Sequence, residues 1–268
     1  EVALSENDAS KLAEELKLKL KNGNLKIVDQ KNIDRIICGL GDNRGLIRRT
    51  FVESLGVIGK PAVPALRKAL LNSSNVVIRR SAAKALKLTA DPSALPDLLQ
   101  ALINDKDPVV QGSSAGAIAI FGETAVEYLI EVLVSPKSNS MQCGLASWGL
   151  AFIGAEAPNA LRQAATSKNP TIKAAAISAL GEQIQSLEDD IAKNLVLDAL
   201  NHPSFEVRIE ATTLLGKLNG SQWATPFLIK RLSDINADIR KKAALSLMQL
   251  KAKEAIQELK RHYLKESN

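Results

Sequence analysis

The run Asn75-Val76-Val77-Ile78-Arg79-Arg80-Ser81-Ala82-Ala83-Lys84-Ala85-Leu86 decides the fold, because variants of it recur along the chain. An aliphatic residue, mostly followed by Arg, Lys or Gln, anchors each copy: Ile47-Arg48, Ile78-Arg79, Val110-Gln111, Met141-Gln142, Ile172-Lys173, Val207-Arg208 and Ile239-Arg240. Successive anchors stand 31, 32, 31, 31, 35 and 32 residues apart, a period that marks a repeat architecture. Four residues after the anchors stand Phe51, Ala82, Ser114, Leu145, Ala176, Ala211 and Ala243, and eight after stand Leu55, Leu86, Ile118, Gly149, Leu180, Leu215 and Leu247. This spacing lines one face of a helix. Three residues before the anchors stand Arg44, Asn75, Asp107, Ser138, Asn169, Ser204 and Asn236, six of them able to cap a helix start. Pro108 and Pro170 follow their caps at the first helical position, where the missing N–H is no loss.

A second helical face precedes each anchor, with Leu66, Leu98, Leu129, Leu195 and Phe227 twelve residues upstream. Each unit is therefore an outer helix, a short turn and an inner helix, and Gly59, Gly122, Gly154 and Gly220 fall where a left-handed residue closes the inner helix. One such hairpin cannot bury its apolar face, whereas stacked hairpins share a continuous core. The fold expected is all-α: a right-handed α-solenoid of about seven hairpins over residues 29–253. A capping helix lies in residues 1–28 and a closing one in 254–268. The longest step is read as an extended turn near residues 183–190.

Composition narrows the function. Hydrophobic residues make up 46% and charged residues 24%, enough for a packed core. Aromatics are only 3%, so that core is aliphatic. No apolar run is long enough to span a membrane, and Glu1-Val2-Ala3 lacks the character of a signal peptide, so a soluble intracellular protein is expected unless a targeting segment preceding Glu1 has been removed. The net charge of +6 is unevenly spread: residues 51–100 carry seven basic and three acidic side chains, residues 101–200 six and eleven, and residues 201–268 twelve and seven. Nucleic-acid binders carry a continuous basic stripe, so no nucleic-acid role is expected.

The pattern of the quoted run resembles HEAT repeats, and the short period is similar to the phycobilisome-lyase-type HEAT subfamily. Trp148-Gly149-Leu150-Ala151-Phe152-Ile153-Gly154-Ala155 also resembles segments of cyanobacterial members. That subfamily includes bilin lyase subunits, phycobilisome-turnover factors and a helper of iron-sulfur scaffold proteins. The resemblance implies a photosynthetic source and a cytoplasmic location, or the plastid stroma in an alga. It further implies a phycobiliprotein or iron-sulfur scaffold protein as the acidic partner.

Chemistry is sparse. His202 and His262 have no matched base or nucleophile in the sequence, and no His-Glu dipeptide is present, which excludes the dinuclear iron site of the HEAT-like deoxyhypusine hydroxylases. Cys38 and Cys143 lie three helical layers apart, about 30 Å at roughly 10 Å per layer, too far to pair. No metal and no cofactor are expected. A bilin needs cations for its propionates and aromatic walls for its conjugated body. The first two inner helices supply Arg48, Arg49, Arg79 and Arg80 but little aromatic surface beyond Phe51. The arginine directly after an anchor is expected to tie adjacent repeats, which leaves Arg49 and Arg80 as the candidates for a partner.

The central repeats carry small residues where their neighbours carry charge: Gly112, Ser113 and Gly116, then Cys143, Gly144 and Ser147 beside Trp148, then Ala174, Ala175 and Ser178. Glycine inside a helix costs about 1 kcal/mol against alanine. These glycines serve either the close approach of a partner or tight packing of the inner helices. The reading is a non-enzymatic scaffold that docks a protein along its concave face, with a bilin lyase or lyase subunit as the alternative.

Overall fold

The computed structural model describes residues 4–25 and 29–266. Glu1-Val2-Ala3 and the boundary at residue 28 lie outside the described residues. Among the described residues every regular element is helical. In chain order these are α1 Glu6–Lys21, α2 Gln30–Gly39, α3 Gly45–Ile58, α4 Val63–Asn72, α5 Val76–Thr89, α6 Leu95–Asn104, α7 Pro108–Ala119, α8 Glu123–Val134 and α9 Ser140–Ile153. Then follow α10 Pro158–Ala165, α11 Pro170–Ser178, α12 Gly181–Ser186, α13 Asp190–Ala199, α14 Phe205–Lys217, α15 Thr225–Arg231, α16 Ala237–Gln249 and α17 Ile256–Glu266.

The chain forms two compact units, Glu1–Gly149 and Leu150–Asn268. In the first, α3, α5 and α7 pack side by side as inner helices, with α4, α6 and α8 as the outer row, and α1 lies against α3. In the second, α11, α14 and α16 form the inner row beside α10, α13 and α15. The anchors Ile78, Val110, Val207 and Ile239 are buried, as are Phe51, Leu55, Leu86, Ile118, Leu215 and Leu247. Ile47 and Ile172 are only half-buried, and in the fourth repeat the expected face is displaced: Met141 is 46% exposed and Leu145 half-buried, while Ala146, Leu150 and Ile153 form the core.

The helix starts follow from side-chain capping. Asn75, Asp107, Asn169 and Asn236 each accept an amide of the first turn. Ser138 does not cap α9. The Gln142 amide donates to Asn139 Oδ1 at 3.0 Å and the Asn139 amide donates to Gln142 Oε1 at 2.8 Å, so a reciprocal capping box moves the start by one residue.

The helix ends share one left-handed residue per repeat. Gly59, Ala90, Gly122, Gly154, Glu188, Gly220 and Lys251 all have φ between 45° and 71°. The insertion near residue 183 is not an extended turn but the short helix α12, locked by the buried Gln183, whose Nε2 donates to Gly154 O at 3.3 Å. In the later repeats Val196 and Leu228 take the fully buried outer-helix positions, and Leu195 and Phe227 are half-buried.

Candidate functional site

The residue after most anchors has a structural duty. Arg48, Arg79, Gln111, Arg208 and Arg240 each donate to the carbonyl six residues upstream, on Asp42, Ser73, Asp105, His202 and Asp234. Arg79 and Arg208 also reach into the next repeat, to Asp105 and Asp234. Those carboxylates sit in a column five residues before the anchors. Asp42, Ser73, Asp105, Ser167, His202 and Asp234 each accept the amide two residues on. His202 is therefore a turn residue: the Ser204 amide donates to its Nδ1 at 3.1 Å. Burial alone would raise the Asp234 pKa, but Arg208, the Asn236 amide and Arg231 together hold it below the ordinary carboxylate value.

The expected site residues fall into different environments. Arg49 is exposed and pairs with Glu53 on its own helix, Nε to Oε1 at 2.6 Å. Arg80 is half-buried and chelates Asp107 of the next repeat, with Nε and Nη2 donating at 2.8 and 2.5 Å. It thus joins the ties between repeats. Asp107 receives this guanidinium and the capping amides of Val109 and Val110, which hold its pKa at about 2.

Around α7 and α9 the glycines separate into two kinds. A Cβ at Gly116 or Gly144 would meet nothing within 4 Å, and one at Gly112 would only touch Leu145 at 3.9 Å. A Cβ at Gly149 would press on Leu129 at 2.9 Å. Tight packing explains Gly149 and leaves Gly112, Gly116 and Gly144 without a packing reason. Ser113, Cys143 and Ser147 are half-buried at this surface, with Cys143 Sγ 4.0 Å from Val132 O. Trp148 is 49% exposed. Helix α9 carries no charged side chain, so an uncharged, partly apolar surface runs along it in the first unit. In the second unit Ala175 is only 6% exposed and offers a partner little surface. Ser178 is half-buried and turns its hydroxyl onto Ala175 O at 2.9 Å.

One group was not singled out by the sequence pattern. Glu210 stands on α14 three residues after Val207, and burial pushes its carboxyl above the ordinary value while Lys217 and Lys242 pull it back. Its position in the repeat column was visible, but its burial depends on neighbours distant in sequence. Among the described residues, no three His, Cys, Asp or Glu side chains cluster to hold a metal. No helix there is long and apolar enough to cross a membrane.

Comparison with known proteins agrees with this architecture. Residues 63–142 and 192–268 match HEAT repeats. The bilin biosynthesis protein MpeU of Synechococcus sp. (strain WH8020) is 46% identical over 265 residues, covering 99% of this chain and 89% of that protein. The uncharacterized phycocyanin operon protein Z of Pseudanabaena tenuis (strain PCC 7409) is 45% identical over 58 residues, 22% of this chain and 29% of that one. Among solved structures, the complex of CpcE and CpcF of phycocyanin lyase from Nostoc sp. PCC7120 aligns at 20% identity and TM-score 0.38, over 87% of this chain and 94% of the other. The chain belongs to the HEAT-repeat family, in the phycobilisome-lyase-type branch that it shares with MpeU.

Proposed function

We propose that this protein handles a phycobilin as a lyase or lyase subunit, acting on a phycobiliprotein as acceptor. The observation that carries this reading is the 46% identity to a bilin biosynthesis protein along 99% of the chain. It favours the lyase alternative over the pure scaffold expected from the scarcity of aromatics. Of the cations of the first repeats, Arg48, Arg79 and Arg80 are committed to carbonyls and carboxylates of the repeat stack, and Arg49 pairs only with Glu53 of its own helix. Incubating the purified protein with phycocyanobilin and an apo-phycobiliprotein tests the reading. Covalent adduct should form faster, and with one sharp absorption band, than in the mixture lacking the protein. Identical rates and product spectra with and without it would remove the lyase reading.

A second reading, a docking scaffold without chemistry of its own, draws on Gly116 and Gly144, whose open Cβ positions lie on an uncharged surface. An acceptor helix could approach the backbone closely there. The two readings differ in adduct formation, not in partner capture.

A further inference from the structure

The second unit contains a cleft of about 470 Å³ between α16 and α17, within the range of small-molecule sites, about 300–1,000 Å³. Leu232, Ala244, Met248, Leu259 and Tyr263 form an almost wholly apolar wall. Met248 and Tyr263, at its mouth, are 66% and 73% exposed. The charged residues on the lining are all cations: Arg240, Lys241 and Lys260. Arg240 is held in place by the Asp234 and Ile235 carbonyls, at 2.9 and 3.2 Å. Neither lysine forms an ion pair among the described residues. His262 also lines the cleft, with Nε2 3.5 Å from Ser233 Oγ and 4.0 Å from Glu258 Oε2. The clefts at Leu70–Lys106 and Asn194–Arg231 have mixed polar and apolar walls and lack a continuous apolar surface.

An apolar wall with unopposed lysines at its rim is complementary to a flat conjugated body that carries carboxylates. We propose that this cleft binds the phycobilin, its pyrrole rings against Met248, Leu259 and Tyr263 and its propionates on Lys241 and Lys260. The proposal rests on the function proposed above and locates its chromophore at the opposite end of the chain from the basic first repeats.

Absorbance titration of the full chain with phycocyanobilin, and with its dimethyl ester, tests it. The free acid should give a saturable spectral shift, and the uncharged ester should bind at least tenfold more weakly. Ala244→Trp, which fills the cleft, and the surface double variant Lys241→Glu, Lys260→Glu should each weaken the free acid at least tenfold, with circular dichroism melts reporting that both fold. Absence of saturable binding to the wild type overturns the cleft. So does unchanged binding in both variants, and if the wild type still accelerates adduct formation, the lyase reading survives that loss. Binding that both variants weaken, in a protein that forms no adduct, keeps the cleft and removes the lyase reading.

Discussion

Arg79 of the second repeat reaches Asp105 of the third, Nε donating to Oδ2 at 2.7 Å, and Arg208 reaches Asp234 in the second unit across the same 26-residue separation at 3.1 Å. Each carboxylate also caps its own turn, and each guanidinium also holds the carbonyl six residues upstream. One pair thus fixes the turn of one repeat against the inner helix of the one before it.

Removing Asp105 leaves a half-buried guanidinium and an unmet turn amide. Hydrogen bonds to charged groups contribute about 1.5–3 kcal/mol each, so Asp105→Ala should lose about 2–3 kcal/mol in urea unfolding. A double-mutant cycle with Arg79→Ala should show coupling, because the two changes remove one shared interaction.

Asp107 makes a pH-dependent contribution. Its pKa of about 2, held there first by the Arg80 guanidinium, lies below the ordinary value of 3.8. The stability it supplies is therefore complete above the unfolded value and disappears as pH falls from about 4 to about 2. Asp107→Asn keeps an oxygen for the cap and loses the ion pair. Wild type and variant should differ in unfolding free energy at pH 7 and converge near pH 2.

Glu210 has the opposite sign. Burial raises its pKa, so the folded state binds the proton more tightly than the unfolded one, and stability falls as pH rises from the ordinary 4.5 through the folded value. Glu210→Gln removes that loss. Its thermal midpoint should exceed the wild type's at pH 7, and the difference should vanish at pH 4.

Ala90 and Lys251 occupy the left-handed column with φ of 49° and 53°, where a Cβ is strained by roughly 1–2 kcal/mol. Ala90→Gly and Lys251→Gly should each raise stability by about 0.5–1 kcal/mol after the entropic penalty of glycine is subtracted. Chemical denaturation of the two variants measures this.

Gly144 and Gly216 should respond oppositely to alanine. Gly144→Ala has open space and should gain up to about 1 kcal/mol of helix propensity. Gly216→Ala would drive a Cβ to 2.7 Å from Ser246 Cα, a backbone atom, and should lose at least about 2 kcal/mol. Ser147→Arg should leave the melting temperature near that of the wild type. If the surface at α9 receives the acceptor, this variant abolishes capture of an apo-phycobiliprotein in a pull-down. Undiminished capture would assign docking elsewhere.

The sequence by itself determined the repeat. The spacing of anchors such as Ile78 and Val110, caps such as Asn75 and Asp107, and closing glycines such as Gly59 and Gly122 are local, because a helix face, an orphan amide and a left-handed φ depend on residues within about one turn. The tie of Arg79 to its neighbour was legible for the same reason, as a periodic position. Tertiary structure alone decided the rest. Arg80 is paired because Asp107, 27 residues away, is brought beside it. Gly149 is packed and Gly144 open because only one of them faces Leu129. Met248 and Tyr263 line one cleft because the fold brings the end of α16 and α17 to the same space. Steric space, burial and charge pairing are properties of neighbours in three dimensions, and a one-dimensional period reports which residues repeat without reporting what each of them meets.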